Sequence, residues 1–253
     1  MKITLLGTGT SQGVPVIGCD CAVCRSDDPR DNRLRAAALV SDGETNIVID
    51  AGPDFRQQML RAKIRHLDAI LLTHEHNDHV IGLDDVRPFN FRSGHPIRVF
   101  ALPRVAAEVR RRFEYVFGEY IPGLPRIELV EIDQNSLLQV GDLQIQCIGI
   151  EHGRLPILGF RIGDLTYLTD VKTVRPAEQQ KIIGSKKLIV NALHHTPHPT
   201  HMNLDEALRF VADIGAGENW LTHISHHMGL TQTVRTTLPH GVWLAHDGLE
   251  IEF

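Results

Sequence analysis

The stretch Leu67-Asp68-Ala69-Ile70-Leu71-Leu72-Thr73-His74-Glu75-His76-Asn77-Asp78-His79 decides how this chain folds and what chemistry it can carry. Its first seven residues are mostly apolar and read as a short buried strand that stops at a dense cluster of metal-binding side chains. Residues two apart in extended backbone point the same way, so His74 and His76 can grip one ion. Asp78 and His79 lie past a bend and can turn towards a second. Two neighbouring cations sharing an oxygen are the arrangement that activates water for hydrolysis of phosphates and amides. The protease pattern H-E-x-x-H does not apply, because Asp78 rather than His stands at its fifth position.

Working outward, the chain alternates strands and helices in two halves. Residues 2–8 read as a strand running into Gly7-Thr8-Gly9-Thr10, a poor match to the dinucleotide fingerprint because its third glycine is displaced by Gln12. A hairpin is expected over 36–49, ending at Asp50-Ala51-Gly52, followed by a helix from an Asp54 N-cap to about Ala62. Residues 79–86 read as the start of a helix, 97–102 as a strand, and 103–117 as an amphipathic helix with proline at its first position. Strands follow over 127–132, 137–140, 143–150, 157–162 and 165–169, with hairpin signals at Gly141-Asp142 and Gly163-Asp164. After a helix over 176–183 and a strand over 187–193, Asn203 and Glu206 resemble a capping box opening a helix to about Gly215. A strand over 219–222, a helix near 230–238 and a hairpin-like pair, 242–245 with 249–253, close the chain. This order suggests two sheets packed face to face with helices outside. A single domain spanning 1–253 is expected, since neither a repeat nor a low-complexity linker interrupts it.

The 253 residues include 42% hydrophobic and 23% charged side chains, ordinary for a globular chain with a sizeable core. No apolar run approaches bilayer length and the first residues lack a signal peptide's character, so no membrane partner and a cytoplasmic location are expected. The net charge of −5 argues against a dedicated nucleic-acid partner. Charge is uneven: residues 87–126 hold eight Arg and no Lys against three Glu, a net of +5 that leaves −10 elsewhere. Such a basic stripe can hold phosphate, but Arg110-Arg111-Arg112 read more simply as the solvated side of a surface helix. Three of the four cysteines fall together as Cys19, Cys21 and Cys24, a spacing that suits tetrahedral Zn²⁺ with a fourth ligand from elsewhere; a disulfide within the loop is the competing reading. Cys147 reads as a small buried residue.

The motif His74-x-His76-x-Asp78-His79 after an apolar strand resembles the signature of the metallo-β-lactamase-fold hydrolases. That resemblance implies an α/β fold, the four-layer αββα sandwich of the metallo-β-lactamase type. It also implies three later ligands in a fixed order, and His152, Asp170 and His223 fall where they are required. Carried over, His74, His76 and His152 would bind one ion, and Asp78, His79 and His223 a second, with Asp170 bridging. The two ions would be Mn²⁺ or Zn²⁺, and Asp78 would serve the chemistry as well as the metal.

The Gly-Thr-Gly start, the cysteine cluster and Thr222-His223-Ile224-Ser225-His226 are similar to the PhnP-type cyclic-phosphate phosphodiesterases. In that subfamily three thiolates and a histidine hold a structural zinc. This implies Cys19, Cys21, Cys24 and His226 here, in a loop near 18–25, a choice over His227 that residue chemistry alone does not make. The resemblance also implies a catalytic histidine, His201, with His198 as a phosphate contact. It further implies a small phosphodiester substrate, a cyclic ribose phosphate foremost, and a homodimer. One departure is Thr169-Asp170-Val171, where the subfamily has serine and threonine around the bridging aspartate. Rival expectations are a tRNA 3′-processing endonuclease, a lactone or thioester hydrolase, and a non-catalytic metal-binding scaffold.

Overall fold

The computed structural model describes residues 1–119 and 121–253. Its first sheet is built from β1 (Lys2–Gly7), β2 (Ala37–Ser41), β3 (Asn46–Ile49), β4 (Ala69–Leu71), β5 (Ile97–Ala101) and β6 (Ile127–Glu131). The second holds β7 (Leu137–Val140), β8 (Leu143–His152), β9 (Leu155–Ile162), β10 (Leu165–Leu168), β11 (Lys187–Asn191), β12 (Glu218–Thr222) and β13 (Val242–Leu244). The last strand, β14 (Glu250–Glu252), returns to the first sheet beside β1. Among the described residues both sheets have seven strands and are mixed, in the orders β14-β1-β2-β3-β4-β5-β6 and β13-β12-β11-β10-β9-β8-β7. Each is antiparallel on the side of its hairpins and parallel from β3 to β6 or from β10 to β13.

The helices are α1 (Phe55–Ala62), α2 (Asn77–Val80), α3 (Arg87–Ser93), α4 (Pro103–Arg112), α5 (Glu114–Phe117), α6 (Pro176–Ile182), α7 (Leu204–Ile214) and α8 (Thr231–Val234). Three apolar clusters divide the interior. One lies between the sheets, with Ile3, Ile49, Leu71, Ile145, Phe160 and Tyr167 drawn from both. A second covers the outer face of the first sheet with Phe55, Val105 and Val109 from α1 and α4. The third covers the second sheet with Ile182, Phe210 and Val211 from α6 and α7. The layers are therefore helix, sheet, sheet, helix, the αββα sandwich expected. Among the described residues no helix is long and apolar enough to cross a membrane.

Local expectations hold where side-chain chemistry is specific. Asn203 and Glu206 make both reciprocal bonds of a capping box, and α7 buries Leu204, Ala207, Phe210, Val211 and Ile214 on one face. They fail where a distant partner wins. The Asp54 side chain does not cap α1; its carboxylate accepts instead from the Arg35 backbone N–H and guanidinium. The expected hairpin over 242–253 does not form: β13 adds in parallel to β12, while β14 crosses to pair antiparallel with β1. The 103–117 helix breaks at Phe113, and the segment after His79 continues through a 3₁₀ turn into α3, a helix that periodicity did not reveal.

The metal-binding stretch sits at a tight backbone junction. Ala51 donates its N–H to the His79 carbonyl at 2.7 Å, and Gly82 donates to the Ala51 carbonyl at 2.9 Å. A Cβ on Gly52 would fall on the Asp78 carbonyl, and one on Gly82 on the Gly52 carbonyl. Only glycine lets these two turns touch. Gly52→Ala should accordingly cost about 1–3 kcal/mol of stability, whereas Gly217→Ala, whose Cβ would meet nothing closer than 3.7 Å, should be neutral. Thermal melting of the two variants checks this; an unchanged Gly52→Ala would contradict the packed junction.

Candidate metal centre

Every expected ligand stands at or just past a strand end on one edge of the sandwich. His74, His76, Asp78 and His79 follow β4, His152 ends β8, Asp170 follows β10, and His223 follows β12. The two sheets approach there: Leu158 of β9 donates its N–H to the Thr73 carbonyl at 3.0 Å. Among the described residues, three of the four non-glycine residues with positive φ are Asp50 (65°), Asp170 (59°) and His223 (54°). Such backbone is costly for a side-chain-bearing residue and is held where the surrounding fold demands it.

The donor atoms converge in two sets. Those of His74, His76 and His152 lie within 4.8 Å of one another, as do those of Asp78, His79 and His223. Asp170 lies between the sets and also groups with His74 and His79. One of its oxygens is 3.0 Å from His223 Nε2 and 3.1 Å from His201 Nε2; the other is 3.4 Å from His79 Nε2. His76 is exposed at the mouth, while His74, His79, His152, Asp170 and His223 are buried.

Hydrogen bonds leave the right ring nitrogens free. His79 Nδ1–H donates to Asp50 Oδ2 at 2.7 Å. The Thr73 hydroxyl donates to the same oxygen at 2.8 Å and accepts from His74 Nδ1–H at 2.9 Å. The Thr73 backbone N–H completes the grip on Asp50 Oδ1 at 2.8 Å. His152 Nδ1–H donates to the Asp170 and Thr200 carbonyls, both at 2.9 Å. With Nδ1 so engaged, the neutral form of each ring carries its lone pair on Nε2, the tautomer a metal-bound imidazole requires. Asp50 is the functional residue that the sequence reading missed. Its signal is a buried apolar strand, Asn46–Ile49, that ends in an aspartate.

These donors fit a cation. His79 Nε2 and both nitrogens of His223 are buried without a hydrogen-bond partner, although carboxylate oxygens lie 3.0–3.4 Å from the two Nε2 atoms. Atoms at that spacing with unsuitable hydrogen-bond directions lie close to the separation of two ligands of one ion, which bonds of 2.0–2.2 Å place roughly 3.3–3.6 Å apart. Charge points the same way. Against the cost of burial, His223 and His79 hold Asp170 far below the usual carboxylate range. Burial likewise disfavours a charged His79, but Asp170 and Asp50 drive its imidazole well above the ordinary value. Three buried or half-buried carboxylates thus demand positive charge at this point.

His201 flanks the centre. Its ring stacks on His223 at 4.8 Å, and its Nδ1 lies 3.1 Å from His198 Nδ1 and 3.0 Å from the Thr200 hydroxyl. Burial pushes the His201 imidazole down to about 4 despite Asp170 beside it, so the ring is neutral near pH 7. His198 is half-buried and packs against His201 rather than reaching the ligand triads.

A second cluster lies apart from these. His226 Nδ1 is 3.3 Å from Cys19 Sγ, 3.5 Å from Cys21 Sγ and 3.4 Å from Cys24 Sγ, while His227 is exposed and not among them. All four cysteines are free, so the disulfide reading fails. The Cys24 N–H draws the Cys21 thiol down to about 6, while burial pushes the Cys24 thiol up to about 11.

Comparison with known proteins agrees with this geometry. Residues 45–224 match the β-lactamase superfamily domain. A crystal structure of a diphosphatase from the PhnP family superposes with a TM-score of 0.93 at 38% identity, covering all of this chain and 96% of that one. An octanoyltransferase of Porphyromonas gingivalis is 43% identical over 253 residues, 99% of this chain but 51% of that protein. The short-form human tRNase Z, at 20% identity and a TM-score of 0.72, shares the fold. The chain spans about half the length of the curated relatives it matches. With the domain match covering most of the chain and the diphosphatase alike over its whole length, this chain belongs to the β-lactamase superfamily and, within it, to the PhnP-like family of metallo-β-lactamase-fold hydrolases.

Proposed function

We propose that the chain is a binuclear metal-dependent phosphodiesterase acting on a small phosphodiester, a cyclic ribose phosphate foremost. The observation that carries the proposal is one buried carboxylate, Asp170, set between two triads of metal-binding donors. In this reading His74, His76 and His152 hold one divalent ion, Mn²⁺ or Zn²⁺, and Asp78, His79 and His223 hold the other. Cys19, Cys21, Cys24 and His226 hold a structural zinc. When bound, the catalytic pair would supply an ionised water near neutral pH and neutralise charge on the phosphoryl oxygens.

The chain's own residues do the rest. Asp170 spaces the triads and is aligned by the Thr169 hydroxyl, which donates to its Oδ2 at 2.6 Å. Asp78 is the most open carboxylate of the centre, its side chain 14% exposed, and would take the proton that the water gives up as it ionises. His201 donates an N–H to a phosphoryl or leaving oxygen, with His198 and Thr200 steadying its other nitrogen. The PhnP-family likeness to a diphosphatase supports chemistry at phosphorus, and the cyclic ribose substrate rests on the subfamily resemblance alone. Acyl transfer finds less support. Cys147 is the one cysteine outside the cluster, and burial within the inter-sheet core pushes its thiol up to about 12. The octanoyltransferase, moreover, is twice as long as the part this chain matches.

A panel of cyclic and linear phosphodiesters, thioesters and lactones tests the assignment. Asp170→Ala should lose catalytic metal and, with it, more than about 100-fold in phosphodiesterase rate. His201→Ala should keep its metal and slow by about 10²–10⁴-fold. Full activity in Asp170→Ala, or thioester and lactone turnover without phosphodiester turnover, would contradict the proposal. Cys21→Ser should shed the structural zinc and melt at lower temperature while losing less chemistry than Asp170→Ala. Unchanged melting with intact zinc content would refute the zinc role.

A further inference from the structure

Only some of the arginines of α4 lie on a solvated helix face. Arg110 and Arg111 meet Glu131 and Glu108 at the surface. Arg104 and Arg112, near the two ends of the helix, turn instead to the metal-binding loop. Arg104 Nη1 donates to Glu75 Oε1 at 2.8 Å, and its Nη2 donates to the Pro156 carbonyl at 2.7 Å. Arg112 Nη1 donates to the Glu75 carbonyl at 2.6 Å and to Asn77 Oδ1 at 2.8 Å, while its Nε is held by Glu108 at 2.8 Å. Glu75 is thus gripped through its side chain from one end of α4 and through its backbone from the other.

The placement of Glu75 gives these bonds their meaning. It is the residue between His74 and His76, so fixing it fixes the bite of that pair. Pro156 stands opposite Glu151 in the β8–β9 register, one position from the His152–Leu155 pair. A single planar guanidinium therefore ties together the two sheets' contributions to one triad, His74 and His76 from the first and His152 from the second. Arg can do this because its fork offers two donors in fixed geometry, which the point charge of Lys does not. The helix carrying it is anchored, with Val105, Ala106 and Val109 buried against the first sheet. Neither arginine touches the second triad in this structure.

We infer that Arg104, supported by Arg112 and acting through Glu75, is a positioning residue that sets the affinity of the His74–His76–His152 subsite for its divalent ion. The inference rests on the two-ion reading of the centre. Its test is metal affinity: the full-length chain is stripped with chelator and titrated with Zn²⁺ and with Mn²⁺ in competition with a chromophoric chelator. Wild type should take up two ions at the His/Asp centre beyond the zinc at the cysteine cluster. Arg104→Met should weaken one of the two by about 10-fold or more and leave the other within about 3-fold. Arg104→Lys should fall between, and Glu75→Gln, which keeps the loop and an acceptor oxygen, should weaken the same ion to a lesser degree. Both ions bound as in wild type by Arg104→Met and Glu75→Gln, even with lowered melting temperatures, would reduce the clamp to a structural role and overturn the inference. Should Arg104→Met not fold, the Glu75→Gln titration alone decides. A wild type that binds no ion at the His/Asp centre would instead bring down the two-ion reading itself.

Discussion

One buried carboxylate organises the centre before any metal arrives. Asp50 is fully excluded from solvent, and burial pushes its carboxyl up against the pull of His79 and Thr73. It is retained because four groups converge on it or on its partner hydroxyl: the His79 ring N–H, the Thr73 hydroxyl, the Thr73 N–H and, through that hydroxyl, His74. The cost of burying the charge is partly offset by charge-assisted hydrogen bonds in a dry setting. Their effect is directional: two imidazoles belonging to different triads are locked into the same tautomer, with their free nitrogens turned inward.

The rest of the architecture brings distant chain segments to that point. Parallel strands β3–β6 and β10–β13 end on the same edge of the sandwich, so the loops that follow them supply ligands from both halves. The left-handed backbone at Asp50, Asp170 and His223 lets the chain turn sharply just past a strand and drop a side chain into the gap. His226 extends the same logic. It lies three residues beyond His223, so the partner of the cysteine loop and a proposed ligand of the His/Asp centre share one short segment. A bridge between Gly9 and Ile224 reinforces this link.

Much of this was legible in the sequence because it is local or chemically unusual. The 74–79 cluster, the cysteine triplet, the capping box at Asn203 and the Gly-Asp hairpins each declare themselves within a few residues. His152, Asp170 and His223 became readable only as a set, since a polar residue at a strand end is common by itself. Asp50 was not read, because its meaning lies in a bond to a ring 29 positions away and nothing near it marks that partner. Arg112 was read as solvated for the same reason: its helix face looks polar, and only the fold sets a metal loop above it. The crossing of β14 to β1 escaped because two short apolar runs after a turn look like a hairpin, and sheet membership is a global choice.

The most direct measurement is anomalous diffraction from crystals grown with Zn²⁺ or Mn²⁺, recorded on both sides of the metal absorption edge. Two peaks about 3.5–4 Å apart should appear, one among His74, His76 and His152 and the other among Asp78, His79 and His223, with Asp170 touching both. An isolated peak in that space, or none, with His152, Asp170 and His223 facing away from the 74–79 loop, would contradict the account.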